Sequence, residues 1–336
     1  MRVLVLQVEG VPVEALRTWP KQGRKWPNQL RRSVLERSCL KCNGGLGDVS
    51  IDQALSFFIL RFYGVKIDNM TAPSLLSILG IDLEVKHIPL DKTWALENRA
   101  PSCVFLHEGL GSVALWKDWP VQICQSLGCE GWVYSRQGYG ESESITDVRG
   151  TGRLQSNYMH REALEVLPAL LTHLKVSNPL LIGHSDGGTI ALIHASQFPV
   201  AGCVVMAPHV MVEDISIQAI LHARDQFEKL KPKLAAFHKD ADVAFWQWND
   251  VWLSEAFRSF DIRPLLQKIQ SPLMAIQGTD DPYGTMAQID QIAAHATQTH
   301  LVKLENCGHS PHKDKPLEVL QALKNFSSSL GNIQRH

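Results

Sequence analysis

The sequence predicts an α/β protein: a mostly parallel sheet covered by helices on both faces, with a helical cap inserted late in the chain. Three observations predict it. From about Ile81 onward, short apolar runs alternate with helical patterns. Most of these runs are apolar throughout rather than at every second residue, as strands buried on both faces are. Residues 210–268, by contrast, hold helical patterns and no strand-like run, which breaks the alternation as an insertion between two strands would.

The elements follow in order. Ile81 to Ile88 alternates apolar and polar and reads as a half-exposed strand. Cys103 to Leu106 and Gly131 to Tyr134 read as short buried strands, with an amphipathic stretch from Val113 to Leu127 between them. Met159 to Val176 reads as one helix, with Leu164, Leu167, Leu171 and Leu174 on a single face. A strand over 179–182, a helix to about Gln197 and a strand over 203–206 come next. Strands over 273–276 and 300–304 and a helix from Pro316 to Phe326 close the chain. The core is therefore expected over 73–209 and 269–330, and the cap over 210–268. Trp246, Trp248 and Trp252 fall in that cap; they either pack its interior or line a substrate pocket.

Residues 1–72 lack the alternation and are expected to form a loosely packed extension. The charge also changes there. Residues 1–70 carry 11 Lys and Arg against 6 Asp and Glu, a net +5, and the rest of the chain 22 against 28, a net −6. The total of −1 gives no electrostatic reason to expect nucleic acid or an anionic membrane as partner. No apolar run approaches the roughly 20 residues that span a bilayer, and the first residues lack a secretory pattern, so a cytoplasmic protein is expected. Cys39 and Cys42 have CxxC spacing without a second pair, so no zinc site is implied. Gly44-Gly45-Leu46-Gly47 lacks the Lys-Ser/Thr of a phosphate loop. No metal or nucleotide cofactor is expected, and the sequence leaves the oligomeric state open.

Gly183-His184-Ser185-Asp186-Gly187 sits between the 179–182 strand and the helix after it. Strand, Gly-x-Ser-x-Gly turn and helix make a nucleophile elbow, in which a sharp turn presents a strained serine above a sheet. A serine needs a base to take its proton and a third group to hold that base. Asp280-Asp281-Pro282 follows the strand at 273–276, and Gly308-His309 follows the strand at 300–304. These are strand ends, where partners of Ser185 belong.

With His107-Glu108-Gly109-Leu110-Gly111 after an early strand, these motifs together resemble the α/β-hydrolase superfamily over about residues 80–330, in particular its capped serine esterase and C–C hydrolase branch. The resemblance implies Ser185 as nucleophile, His309 as base and Asp281 as acid, with Asp280 as the competing acid and His107, His184 and His312 as rival histidines. His312 is expected to be solvated, and His184 to face away from the serine. The resemblance also implies an oxyanion hole from the backbone N–H groups of Asp186 and Gly109, with Leu110 next to it. Glu108 stands where a second glycine is commoner. It either faces solvent or pairs with Arg136, or it selects a substrate bearing a positive or hydrogen-bond-donating group. Asp186 is placed at the first turn of a helix, where the dipole favours an anion. A serine rather than an aspartate at the elbow argues for acyl transfer on a small-molecule acyl substrate. A carboxylic ester is the leading class, with lactones, thioesters and activated C–C bonds as alternatives. A non-catalytic ligand-binding protein of the same fold is the alternative class.

Overall fold

One eight-stranded sheet organises the described part of the chain, in the order β1-β2-β4-β3-β5-β6-β7-β8. The computed structural model describes residues 72–91 and 101–333. All lie in the second of the two units, 1–69 and 70–336, into which the chain divides. The expected loose extension at 1–72 lies outside the described residues, apart from its last position.

The strands are β1 (Ser74–Ile78), β2 (Ile81–Ile88), β3 (Cys103–Leu106), β4 (Gly131–Tyr134), β5 (Leu180–His184), β6 (Gly202–Met206), β7 (Leu273–Gly278) and β8 (Thr299–Leu304). β1 and β2 pair antiparallel with each other, β2 pairs antiparallel with β4, and all other pairings are parallel. The helices are α1 (Trp119–Leu127), α2 (Tyr158–Arg161), α3 (Leu167–Leu174), α4 (Asp186–Ala195), α5 (Asp214–Asp225), α6 (Phe227–Leu234), α7 (Ala241–Trp252), α8 (Arg263–Leu266), α9 (Ala287–His295), α10 (Pro311–Asp314) and α11 (Pro316–Ile333). β1 has no counterpart in the sequence reading, because Ser74-Leu75-Leu76-Ser77-Ile78 carries neither an apolar run nor a clean alternation and is mostly exposed.

The apolar runs explain the two-sided core. Alternate residues of a strand point to opposite faces. Val104, Leu106, Leu181, Val205 and Ala275 join the cluster on one face, and Phe105, Ile182, Val204 and Ile276 join the other. The first face is covered by α4 and by helices of the 210–268 segment. The second is covered by α1 and by Val319, Leu323, Phe326 and Leu330 of α11, a stripe at helical spacing. Fully burying such a side chain contributes roughly 1.5–3 kcal/mol.

The expected single helix from Met159 to Val176 is interrupted. A π turn over Glu162–Val166 joins α2 to α3, and such a turn carries an extra residue that rotates the helix beyond it. The buried face is therefore Met159, Ala163, Val166, Leu167, Leu170 and Leu171, while Leu164 is exposed and Leu174 is half-buried.

Between β6 and β7 the described elements are helical, α5 to α8 with a short 3-10 turn. The two ends of this insertion are clasped where the chain leaves and rejoins the sheet. Ile262 N–H donates to the Val210 carbonyl at 2.8 Å, and Met211 and Asp261 form an isolated antiparallel bridge.

Candidate active site

Ser185 stands between the last residue of β5 and the first of α4, with φ 52° and ψ −119°. That is a strained conformation for a residue with a Cβ. The flanking glycines make the turn possible. A Cβ on Gly183 would run into the Gly187 backbone, and one on Gly187 into the Leu106 carbonyl. The Ser185 N–H donates to the Met206 carbonyl at 2.8 Å, which fastens the turn to β6.

The structure brings His309 and Asp281 to this serine. His309 Nε2 lies 2.9 Å from Ser185 Oγ, and its Nδ1 lies 2.8 and 2.9 Å from the two Asp281 oxygens. A carboxylate only accepts, so Nδ1 carries the hydrogen and Nε2 presents a lone pair to the serine hydroxyl, which donates to it. Asp281 is fixed in turn: Tyr283 N–H donates to one oxygen and Gln277 Nε2–H to the other, each at 2.8 Å. Burial pushes the Asp281 carboxyl pKa up, but the bond and charge of His309 and the Tyr283 N–H outweigh it and hold it below the ordinary carboxylate value. Asp280 is exposed and accepts from Thr279 Oγ1, so of the two aspartates it is Asp281 that meets the histidine.

The loop after β3 runs beside the serine. Arg136 Nη1 donates to the His107 carbonyl at 2.6 Å and Nη2 to the Glu108 carbonyl at 3.2 Å. His107 Nδ1 donates to that second carbonyl at 2.6 Å, and its Nε2 accepts from the Arg136 N–H at 3.0 Å. Both carbonyls are thereby held on the Arg136 side. Burial, with the Arg136 charge beside it, keeps the His107 pKa well below the usual imidazole range. Glu108 does not pair with Arg136 through its carboxylate, as one sequence expectation had it. That carboxylate faces His184 Nδ1 at 3.5 Å and Lys313 Nζ at 3.6 Å.

A cavity of about 140 Å³ opens at Ser185 and His309. Glu108, Gly109 and Leu110 line one side, Trp248 and Trp252 of α7 another, and His209 and Tyr283 a third. Trp248 lies so close to Gly109 that a Cβ there would overlap its indole. The two expectations for the tryptophans divide among them: Trp248 and Trp252 line the cavity, whereas Trp246 packs on Phe227 and Phe245 within the insertion, which corrects Trp246 as a pocket candidate. It is half-buried, it stacks under the Arg149 guanidinium at 3.9 Å, and it is not among the cavity-lining residues. The reason is helical phase: Trp248 and Trp252 stand one turn apart on one face, and Trp246 sits about 200° from Trp248.

Asp186 is fully buried. Tyr158 Oη donates to its Oδ2 at 2.6 Å, Arg136 Nη2 lies 3.7 Å away, and Trp252 Nε1–H donates to Tyr158 Oη at 3.1 Å. Burial raises the Asp186 pKa against the opposing pull of Arg136 and Tyr158. The helix dipole alone therefore does not account for this residue. His312 is buried rather than solvated. It packs against Trp116, Trp119 and His184, and burial holds its pKa well below the usual range. His184 Nε2 donates to the His309 carbonyl at 2.6 Å, and His184 lines the cavity beside Ser185.

Sequence reasoning missed Tyr158, Gln277 and His209. Tyr158 carries no local signal, since it matters through a partner elsewhere in the fold, and Gln277, whose partners Asp281 and Gly284 follow in the same loop, has a residue type that does not mark the role. His209 had one: it stands three residues past the end of β6, the strand-end logic that selected Asp281 and His309. Burial lowers its pKa from the ordinary value of 6.5 to about 3, so it lines the cavity as a neutral ring. As for metals, Cys103, Cys124 and Cys129 are the group among the described residues whose sulfurs converge, all within 4.8 Å. They lie in the apolar core at the opposite end of the parallel strands from Ser185.

Fold and site together define a hydrolase class. Residues 103–322 match the model of the Alpha/beta hydrolase family, and the chain belongs to that family. Among curated proteins it is similar to one named a carbamate hydrolase, RutD, of Pseudomonas syringae pv. syringae. The two are 26% identical over 214 residues, which are 55% of this chain and 83% of that protein. Among solved structures it is similar to the enol-lactonase of Burkholderia xenovorans LB400, with a TM-score of 0.58 and 17% identity over 76% of this chain and all of that one. A thermophilic esterase of Thermogutta terrifontis has a TM-score of 0.57 and 16% identity over 78% of this chain and all of that one. These two likenesses concern the fold.

Proposed function

We propose that the chain is a serine hydrolase that cleaves an acyl bond, with carboxylic esters of small acyl groups as its leading substrates. One observation carries the reading: the unbroken line from Ser185 Oγ through His309 to Asp281, with both contacts at hydrogen-bond distance and the Nδ1 hydrogen fixed by the carboxylate. His309 takes the proton as Ser185 attacks the acyl carbon, then gives it to the leaving group. Water enters by the same base and releases the acyl-enzyme. The Asp186 and Gly109 N–H groups receive the oxyanion, a role supported by their place beside Ser185 on the cavity wall. The helical insertion 210–268 acts as a cap, and a cavity of about 140 Å³ walled by Trp248 and Trp252 favours short acyl groups.

A fluorophosphonate probe and a p-nitrophenyl ester series from acetate to octanoate test this reading. Wild type is expected to take the label at Ser185 and to prefer the short esters, while Ser185→Ala loses both label and turnover. A folded wild type that takes no label would overturn it. So would Ser185→Ala with undiminished hydrolysis.

A further inference from the structure

Glu108 sets the sign of the cavity. Its side chain is 16% exposed and lines the wall beside Ser185. The other carboxylate on that wall, Asp186, is fully buried and is met by Tyr158. No lysine or arginine is among the lining residues, and His209 lines the cavity as a neutral ring. The protein does not use the Glu108 carboxylate up. Lys313 Nζ comes to 3.6 Å from Oε1 and His184 Nδ1 to 3.5 Å from Oε2, and neither approach is a hydrogen bond. The Lys313 side chain is 43% exposed and is not among the lining residues, so it meets the carboxylate from outside the cavity. Burial pushes the Glu108 carboxyl up, but His184 and Lys313 outweigh it and hold it well below the usual range, so the group is ionised at neutral pH. An ionised carboxylate that is half out of water and short of donors gains most from a donor that carries positive charge.

We propose that the cavity is a subsite for an ammonium group, with Glu108 as its anion. The substrates are then short esters that carry a primary ammonium, a statement that rests on the hydrolysis proposed above. Glu108 decides which ester is held, and Ser185, His309 and Asp281 cleave it.

The rest of the wall suits a cation as well. Trp248 and Trp252 face the same cavity, and the face of an indole attracts a cation within about 6 Å. The Trp248 indole is pressed on Gly109, the residue after Glu108, so an aromatic ring borders the loop that carries the carboxylate. Gly111 makes the carboxylate's place: a Cβ there would overlap Glu108 Oε2. The volume, about 140 Å³, selects among cations. It suits a short chain ending in a primary ammonium, which has three hydrogens to give, over a bulky quaternary one, which has none.

Two pairs of esters matched in shape test the subsite in the full chain near neutral pH. Ethyl γ-aminobutyrate against ethyl pentanoate exchanges ammonium for methyl at the end of the acyl chain. γ-Aminopropyl acetate against butyl acetate makes the same exchange on the alcohol. Wild type is expected to favour the ammonium member of one pair by about tenfold or more in kcat/KM, and that pair tells which side of the ester enters the subsite. In Glu108→Gln the preference should fall to within about twofold. Butylammonium chloride reads binding apart from turnover: it should change the tryptophan fluorescence of wild type, and Glu108→Gln should need about tenfold more of it. Equal kcat/KM within both pairs overturns the proposal, and so does a preference that survives Glu108→Gln. If Glu108→Gln does not fold, wild type still decides, since equal rates within both pairs overturn the subsite. A wild type that takes no fluorophosphonate label and cleaves none of the four esters would overturn the hydrolase reading. Butylammonium binding that depends on Glu108 would then leave the subsite standing, and its absence would remove the subsite too.

Discussion

Two histidine–carboxylate pairs meet at Ser185, and they are built differently. His309 and Asp281 stand 2.8 Å apart, with the carboxylate gripped by Tyr283 and Gln277 and the other face of the imidazole free to work on the serine. His184 and Glu108 approach to 3.5 Å without a hydrogen bond, and the imidazole is held through Nε2, which donates to the His309 carbonyl. In the first pair both nitrogens are bonded, one to the carboxylate and one to the serine hydroxyl, which is the line that proton transfer demands; in the second the nitrogen nearer the carboxylate is left without a bond. A count of histidines near a serine would not separate them. The partner that each ring nitrogen meets does.

The largest way to break the comparison is Asp281→Asn. The amide can present its N–H to Nδ1 and so favour the wrong tautomer, leaving Nε2 with a hydrogen toward the serine. Loss of about 10⁴ in kcat is expected with the fold retained, checked by ester turnover beside circular dichroism. A loss of only about tenfold would mean that Asp281 does not fix the His309 tautomer.

Asp186 sharpens the contrast from another side, as a buried carboxylate beside the same serine with no histidine at all. Its support is Tyr158 Oη, which also accepts from Trp252. Tyr158→Phe should cost about 1–3 kcal/mol of stability by leaving both partners unmet, read from chemical denaturation. An unchanged midpoint would show that Arg136 alone satisfies Asp186.

Acid probes the neutral histidines that surround both pairs. His209 falls from 6.5 to about 3 on folding, and His107 and His312 shift the same way. The unfolded chain therefore binds these protons first. The stability of the neutral folded rings is fully present above about pH 6.5 and drains as pH falls toward 3. Asp281, whose folded value is depressed, adds its own loss only below about pH 4. Melting temperature is expected to drop between pH 7 and 5, before Asp281 takes a proton; a flat profile there would refute the assignment of neutral buried rings. The smallest effect belongs to Trp246→Ala. Its indole stacks on Arg149 rather than facing the cavity, so kcat/KM should stay within about twofold, whereas a loss near that of Trp252→Ala would put it back among the pocket residues.

What the sequence made legible was local. The elbow, the aspartate after β7 and the histidine after β8 each sit within five residues of a strand end, and an apolar run with glycines marks such an end directly. Helical phase would have separated Trp246 from Trp248 and Trp252, but only once the helix containing them had been given its bounds. The π turn at Glu162–Val166 changed which leucines face inward, and nothing in the spacing announces it. Tyr158 and the His184–Glu108 approach stayed hidden because each joins segments far apart in the chain, and pattern and propensity carry no term for such meetings; Gln277 reaches only Asp281 and Gly284, four and seven residues on, but nothing in a glutamine at the end of a strand marks it as a carboxylate's support.

The indole of Trp248 and the bare backbone of Gly109 interlock like a tongue in a slot. A chimera that transplants only residues 210–268 from a relative would therefore carry a mismatched tongue into this slot, or leave the slot empty. Swapping pocket modules within this fold would then require the loop at 107–111 to travel with the helices, and the segment that evolves as one piece is discontinuous in the chain.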